Sequence, residues 1–292
     1  MNETWTVRKL IAWTAQWFAD HSIASPRLDA ELLLASILNC SRLDLYLMPD
    51  KPVDDHERSL FKSLIRRRIQ REPVAYILGN KEFWSREFIV SPAVLIPRPE
   101  TETLIETALT LTPECEDFRI ADLGTGSGCI AITLALETAT THVIATDLSM
   151  EALAIARQNA ERLGAGERIV FLHGSWFEPL NAVAALQSFD CIVSNPPYIR
   201  TGMIESLQPE IRMYEPFNAL DGGLSGIDAY EVLAAGAMRW LKPGGRIILE
   251  IGDDQANAVE TFLLNASFEA IDKIRDTSGK YRVVTGRKVC RN

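Results

Sequence analysis

From about residue 101 onward, short apolar segments alternate with longer amphipathic ones, and this alternation restricts the fold more than any other feature of the chain. The short segments have the length of strands and the longer ones the length of helices, an order typical of parallel βαβ units. Right-handed crossovers place helices on both faces of such a sheet and a ligand crevice at the carboxyl ends of its strands. We therefore predict an α/β fold with a mostly parallel, seven-stranded sheet. The predicted strands are 119–123, 142–147, 168–173, 190–194, 246–251, 268–274 and 281–289.

The first 72 residues have a different pattern, because their apolar residues recur at helical spacing. Ser25-Pro26 is typical of a helix start with proline at the first helical position, and Asp54 and Asp55 place acidic residues at another start. Four arginines follow within residues 66–71. We interpret them as a solvated face at a helix C-terminus, where cations are favoured, and the alternative is a surface for an acidic partner.

Residues 73–100 have a third pattern, which indicates a linker between two domains. The segment KEFWSREFIV has aromatic and β-branched residues on both sides of Ser85-Arg86, which predicts a β-hairpin. Pro92, Pro97 and Pro99 then interrupt any regular element. The chain is therefore expected to contain a helical domain over residues 1–72, a β-hairpin linker over 73–100 and an α/β domain over 101–292.

Charge and apolar pattern limit the partners and the location of the protein. The 30 lysines and arginines are outnumbered by 39 aspartates and glutamates, which gives a net charge of −9. Because nucleic-acid binding depends on cationic surface, this charge argues against a nucleic-acid partner, and a local basic patch remains the alternative. No apolar run approaches the roughly 18–20 residues that span a bilayer, and the N-terminal segment lacks the pattern of a signal peptide. We expect a cytoplasmic monomer that acts without a membrane.

Cysteine and histidine residues are scattered along the chain, which argues against a metal site or a disulfide framework. The five cysteines form no CxxC pair, and the four histidines form no HxxxH pair. We predict reduced, structural cysteines and no bound metal. The cysteines are Cys40, Cys115, Cys129, Cys191 and Cys290.

A glycine-rich loop, DLGTGSG at residues 122–128, follows the first predicted strand of the α/β domain and precedes a helix. Its alternating glycines let the backbone turn tightly and approach a ligand closely. Cys129 stands where a nicotinamide-binding GxGxxG motif requires glycine or alanine, and the loop lacks the Lys-Ser/Thr of a P-loop. The GxGxG spacing instead resembles the cofactor loop of S-adenosylmethionine-dependent methyltransferases. Asp147, at the end of the next strand, can accept hydrogen bonds from both ribose hydroxyls.

The tetrad Asn195-Pro196-Pro197-Tyr198 follows another predicted strand at the crevice end of the sheet. Consecutive prolines hold the chain extended, so the Asn195 side chain and the Pro196 carbonyl are presented as fixed acceptors. A planar NH₂ nitrogen is a poor nucleophile, since its lone pair is delocalised. Two acceptors that take its two N–H groups can direct that lone pair toward a sulfonium methyl, and Tyr198 can pack against the planar group. The amine of adenine or cytosine and the side-chain amide of glutamine both present this group, and the tetrad does not separate them.

Several motifs in this order resemble those of the HemK/PrmC family of protein-(glutamine-N5) methyltransferases, and the similarity covers nearly the whole chain. The resemblance implies a Rossmann-like methyltransferase domain that transfers a methyl group from S-adenosyl-L-methionine to the GGQ glutamine of class 1 peptide-chain release factors. The helical domain would then be the part that binds the release factor. The motifs are LIPRPETE (95–102), DLGTGSGCIA (122–131), SNPPYI (194–199), EPFNALDGG (215–223), LEIG (249–252) and D-x-S-G-x-x-R (276–282).

The resemblance also implies roles for particular residues. The glycine loop would hold the methionine part of the cofactor through Gly124, Thr125, Gly126, Ser127 and Gly128. Asp147 would bind the ribose and Trp176 would lie beside the adenine, while a hydrogen bond from Ser175 to the adenine is in doubt. Asn195 would contact both cofactor and substrate, with Asn195, Pro196 and Tyr198 as catalytic residues and Pro197 completing the amide clamp. Arg98 and Glu100 would either place the substrate loop or brace the domain junction, and the Glu215-Pro216 segment would cap the site.

Two other functions remain as alternatives. A nucleic-acid adenine-N6 methyltransferase needs a flipped base and a cationic track along the backbone, which the net charge of −9 disfavours. A cofactor-binding module without catalysis would not need Asn195 and Tyr198, which are both present.

Overall fold

The structure is a computed structural model that describes residues 4–111, 117–139 and 141–290. Two compact units divide the chain: a helical unit of residues up to Gly79 together with Gln208–Tyr214, and an α/β unit of Asn80–Leu207 and the chain from Glu215. The helices are α1 (Val7–Asp20), α2 (Pro26–Leu38), α3 (Arg42–Leu47), α4 (Asp55–Ile69), α5 (Val74–Leu78), α6 (Glu102–Leu111), α7 (Cys129–Glu137), α8 (Met150–Leu163), α9 (Pro209–Tyr214), α10 (Asp228–Trp240) and α11 (Ala256–Asn265). The strands are β1 (Asn80–Phe83), β2 (Arg86–Ile89), β3 (Phe118–Leu123), β4 (Thr141–Asp147), β5 (Ile169–His173), β6 (Phe189–Ser194), β7 (Leu241–Glu250), β8 (Phe268–Arg275) and β9 (Tyr281–Lys288).

The helical unit begins its helices where the sequence predicts. Ser25 precedes α2 with Pro26 at the first helical position, and Asp54 caps α4 in a capping box with Glu57. Apolar side chains of these helices form one core around the fully buried Phe18.

The arginines of residues 66–71 do not all lie on a solvated face, so that prediction is wrong for Arg68. Its side chain is buried, and its guanidinium donates to Asp29 at 2.7 Å and to Glu210 of α9 at 2.9 Å. Arg71 donates to the other oxygen of Glu210 at 2.9 Å. The acidic partners of these arginines therefore belong to the same unit, and a buried guanidinium is tolerated there because it is paired.

The main sheet has the predicted seven strands in the order β5-β4-β3-β6-β7-β9-β8. The five strands β3, β4, β5, β6 and β7 are parallel to one another. Strand β9 is antiparallel to β7, and β8 is antiparallel to β9, which confirms a mostly parallel sheet. Helices cover both faces, over two separate apolar cores. The chain runs from β3 to β4 on one side, whereas β6 lies on the other side of β3. This reversal opens a crevice at the carboxyl ends of β3 and β6, where α/β proteins bind ligands.

Two predicted boundaries are wrong for a local reason. The hairpin turn consists of Trp84 and Ser85 rather than Ser85-Arg86, and both turn residues have positive φ values, +50° and +56°. Such a two-residue turn matches the twist of the paired strands. Strand β7 begins at Leu241 rather than at Arg246, because Leu241 already pairs with Phe189 across a register shift that accommodates the Pro-Gly-Gly segment.

Four cysteines, Cys40, Cys129, Cys191 and Cys290, are free thiols, while Cys115 lies outside the described residues. Within residues 4–111, 117–139 and 141–290, no helix is long and apolar enough to cross a membrane. In the same part of the chain, no three or more His, Cys, Asp and Glu side chains are grouped as metal ligands would be.

Candidate active site

A cavity of about 540 Å³ lies in the α/β unit at the carboxyl ends of β3, β4 and β6. This volume is in the range of pockets that hold a cofactor-sized molecule. The lining includes eight of the predicted site residues: Gly124, Thr125, Gly126, Ser127, Asp147, Trp176, Asn195 and Pro197. Gly128, Pro196 and Tyr198 are not part of this lining.

The glycine loop is held from beneath by a buried carboxyl group. The Thr125 hydroxyl donates to the buried Asp122 carboxyl at 2.6 Å, so the Thr125 side chain points into the protein, away from a ligand. Burial raises the pKa of Asp122 to about 7. Gly128 ends the loop with a φ of +81°, and a Cβ there would lie 2.9 Å from Ile132, so only glycine fits this position.

Asp147 closes the loop from the end of β4. Its carboxylate accepts the backbone N–H of Gly126 at 2.8 Å and that of Ser149 at 2.9 Å, one on each oxygen. A carboxylate has about four lone-pair sites, so each oxygen keeps one acceptor position. The arrangement fits a diol such as ribose, with the carboxylate already fixed in place.

Trp176 forms a wall of the cavity against the same loop. Its ring lies 3.4 Å from the position that a Cβ on Gly124 would occupy, so the indole packs over the loop. The Trp176 carbonyl accepts the Thr146 hydroxyl at 3.0 Å, and this anchors a backbone with a φ of +43°. A flat apolar surface at this position can stack against a planar ring.

The Asn195-Pro-Pro-Tyr tetrad leaves the end of β6 at the other side of the cavity. The Asn195 Nδ2 group donates to the Thr101 hydroxyl at 3.3 Å, so the nitrogen of the amide is engaged within the protein. Pro196 is buried, while Pro197 reaches the cavity. Burial raises the pKa of Tyr198 to about 12, so its hydroxyl stays protonated at physiological pH.

Gln255, at the start of α11, fixes the far end of the tetrad and was missed by the sequence reasoning. Its Nε2 group donates to the Tyr198 carbonyl at 2.8 Å and to the Gly226 carbonyl at 2.9 Å. Its Oε1 atom accepts the Gly252 N–H at 2.9 Å and the Tyr230 hydroxyl at 3.2 Å. Nothing in a lone glutamine after LEIG signals that all four of its hydrogen-bonding positions are used.

The EPFNALDGG segment packs on the tetrad and covers part of the cavity. Its residues Pro216, Asn218 and Ala219 belong to the lining. A Cβ on Gly222 would lie 2.8 Å from both the Pro197 carbonyl and the Tyr198 Cα, so the two backbones touch only because this residue is glycine.

Arg98 lies at the rim of the cavity and forms an ion pair with Glu215, whose carboxylate also accepts the Ile96 N–H. Because Glu215 is buried, this pair braces the start of the covering segment. Glu100 is exposed, and both roles considered for it stay open.

Asn159, on α8, is a second residue that sequence reasoning missed. Its buried amide accepts the Ile89 N–H at 2.7 Å and donates to the Ile89 carbonyl at 3.0 Å. It also donates to the Ser127 carbonyl at 2.9 Å, which joins the hairpin to the glycine loop. A polar residue inside the helix was the only available signal.

A glycine loop, a strand-end carboxylate and an aromatic wall lie together at the switch point of this sheet, where α/β proteins bind nucleoside cofactors. Comparison with known proteins shows the class of protein to be an S-adenosylmethionine-dependent methyltransferase. The chain matches a family model described as "Methyltransferase domain" over residues 115–287 and one described as "PrmC N-terminal domain" over residues 9–79. The solved structure of a methyltransferase from Pyrococcus furiosus has the same fold, with a TM-score of 0.52 and 22% identity, over 72% of this chain and 92% of that one.

Proteins that align with nearly the whole chain show which methyltransferase family it belongs to. The chain is 43% identical to the release factor glutamine methyltransferase of Geobacter sulfurreducens, over 98% of each chain. It is 40% identical to that of Caulobacter vibrioides, over 97% of each. The chain belongs to the release factor glutamine methyltransferase family, which confirms the resemblance inferred from its motifs and does not favour a nucleic-acid methyltransferase.

Proposed function

We propose that this protein transfers a methyl group from S-adenosyl-L-methionine to the side-chain N5 of the glutamine in the GGQ motif of class 1 peptide-chain release factors. The observation that carries the proposal is the orientation of Asn195, whose amide nitrogen is engaged by Thr101 beside the cavity. The acceptor oxygen of Asn195 is thereby available to an incoming NH₂ group.

The residues present fit the cofactor. The glycine loop, from Gly124 to Gly128, would hold the methionine part, and the free acceptor positions of Asp147 would take the ribose hydroxyls. Trp176 would stack on or flank the adenine. When bound, S-adenosylmethionine supplies an electron-poor methyl carbon on a sulfonium sulfur.

The tetrad would prepare the substrate nitrogen for attack. The Asn195 oxygen and the Pro196 carbonyl would each accept one N–H of the glutamine amide, and an amide held in this way can pyramidalise at nitrogen and direct its lone pair toward the sulfonium methyl. Tyr198 would pack against the planar amide, with Gln255 holding its backbone in place. No strong base is needed, because the N–H becomes acidic as the nitrogen is alkylated. Orientation and fixed dipoles would supply most of the rate enhancement.

The helical unit would bind the release factor, and the protein would act as a cytoplasmic monomer that needs no nucleic acid. Support for the protein substrate comes from the relatives that align over nearly the full length of this chain and are named for it.

The test is methyl transfer from radiolabelled S-adenosylmethionine to a purified class 1 release factor. A release factor whose GGQ glutamine is replaced by alanine is the matched control, and DNA and RNA are offered in parallel. We expect label in the intact release factor alone. Label in the alanine variant, or in nucleic acid and not in protein, would contradict the proposal.

A further inference from the structure

A buried glutamate stands directly behind the tetrad. Glu250 is the last residue of β7 and is 1% exposed. Ser194 of β6 pairs with Leu249 of β7 in parallel register, so Asn195 and Glu250 are the next residues along two adjacent strands. Among the residues that the structure describes, no donor forms a hydrogen bond of normal geometry with either carboxyl oxygen of Glu250. A buried carboxyl left in this state is costly and calls for an explanation.

The neighbours of this carboxyl connect it to the Asn195 amide. Burial raises the pKa of Glu250 to about 7. The nearby side chains of Thr101 and Asn195 lower this pKa, because both can donate to the ionised carboxyl. The Thr101 oxygen accepts the Asn195 Nδ2 group at 3.3 Å, so its own hydrogen remains available to the carboxyl. Glu250, Thr101 and Asn195 thus form a short polar chain that ends at the cavity.

Glu250 does not line the cavity, whereas Thr101 and Asn195 do. The carboxyl is therefore placed to act on the amide of Asn195 rather than on a substrate. An asparagine amide has two orientations that differ only by exchange of its oxygen and nitrogen. An ionised carboxyl behind it accepts hydrogen bonds only, so it favours the orientation with the nitrogen inward and the oxygen toward the cavity.

We infer that Glu250 is a positioning residue that holds the Asn195 amide with its acceptor oxygen toward the substrate nitrogen, acting directly and through Thr101. The inference rests on the proposed function for its kinetic consequence. Because only the oxygen can accept an N–H of the substrate amide, the opposite orientation places two donors against each other and blocks the reaction.

The kinetic test compares Glu250→Gln, Asn195→Ala and the double variant. Glu250→Gln keeps the shape but can donate as well as accept, so we expect kcat to fall about 10- to 100-fold with an unchanged Kd for S-adenosylmethionine. Since Glu250 acts through Asn195, the double variant should be no slower than Asn195→Ala alone. Glu260→Gln, which alters a partly exposed glutamate paired with Lys273 on the same unit, is the control and should retain full activity. Full activity of Glu250→Gln, or losses that multiply in the double variant, would overturn the inference.

The pH profile adds a measurement that a structural role would not move. The wild-type kcat should rise through about pH 7 as Glu250 ionises, and Glu250→Gln should lack this rise. The groups that face Glu250 from the surrounding elements are Arg282, Glu100, Tyr198, Tyr230 and Cys129. Arg282 stays charged throughout, and burial keeps Tyr198 and Cys129 neutral, with pKa values of about 12 each. The same rise in Glu250→Gln would assign it to another group and refute the inference.

A substrate-free measurement separates this inference from the proposed function. In protein labelled with ¹⁵N-asparagine, the Asn195 side-chain signals are identified by their loss in Asn195→Ala. We expect them to shift near pH 7 in the wild type and to be insensitive there in Glu250→Gln. Absence of release-factor labelling by the wild type would refute the proposed function. Asn195 signals that change neither with pH nor in Glu250→Gln would refute the positioning role.

Discussion

Asp122→Asn should stabilise the α/β unit, and the gain should grow with pH. The folded state raises the pKa of Asp122 from 3.8 to about 7 because the carboxyl is fully buried. One of its oxygens accepts the Thr125 hydroxyl, and the other has no partner among the described residues. The folded protein therefore holds a proton that the unfolded chain releases, so wild-type stability falls as pH rises from about 4 to about 7.

The size of this effect follows from the pKa difference. A shift of about three units corresponds to about 4 kcal/mol in full, at about 1.4 kcal/mol for each unit. Between pH 5 and pH 8, the free energy of unfolding of the wild type should fall by about 3 kcal/mol relative to that of Asp122→Asn. Asparagine keeps an oxygen for Thr125 and carries no charge, so this component of the pH dependence disappears.

The assay is urea unfolding at pH 5 and pH 8, read by pulsed hydrogen exchange on peptides from β3. This readout follows the strand that carries Asp122, separately from the helical unit. Asp254→Asn, which changes an exposed aspartate paired with Arg200, is the control for the loss of an ordinary surface charge. A constant difference between wild type and Asp122→Asn at the two pH values would show that Asp122 is ionised in the folded state and would refute the reasoning.

Three further variants test the site. Asn195→Ala removes a preorganised acceptor and should lower kcat about 10²- to 10³-fold in methyl-transfer assays, and near-wild-type turnover would discard the clamp. Asp147→Ala should weaken S-adenosylmethionine binding roughly tenfold to a hundredfold by calorimetry, as expected for lost hydrogen bonds to a charged group, and an unchanged Kd would refute the ribose assignment. Gly222→Ala forces the covering segment off the Pro197 carbonyl, so kcat should fall about 100-fold while the cofactor Kd changes little, and a normal kcat would show that the tetrad tolerates the displacement.

The sequence predicted all seven strands of the main sheet, because the central ones, such as β3 and β6, are short and mostly apolar segments between helices or turns. The glycine loop and Asp147 were identified because both follow strands whose carboxyl ends meet at one edge. The starts of α2 and α4 were recognised because their signals are local: Pro26 stands at the first helical position of α2, and the Asp54 side chain caps α4.

What the sequence did not reveal depends on contacts between distant segments. Gln255 and Asn159 brace the site through backbone groups 29 to 70 positions away, and no local pattern marks such contacts. The pairing of Arg68 with Glu210 spans 142 positions, and the arginine run alone resembled an exposed face. Glu250 was part of a recognised motif, but its burial beside Asn195 depends on the register of β6 and β7.

The hydrogen bonds of Asn159 also bear on how the protein can be dissected. A fragment that begins at residue 101 would lack Ile89, so the Asn159 amide would lose its hydrogen bonds to the N–H and the carbonyl of that residue. The Asn159 side chain would then be less firmly fixed, and so would the Ser127 carbonyl that accepts its remaining hydrogen bond. The smallest autonomous catalytic fragment should therefore start at Asn80, with the hairpin retained, rather than at the first helix of the α/β part. The hairpin is thus an integral support of the glycine loop, and we expect substitutions that displace Ile89 to loosen that loop as well.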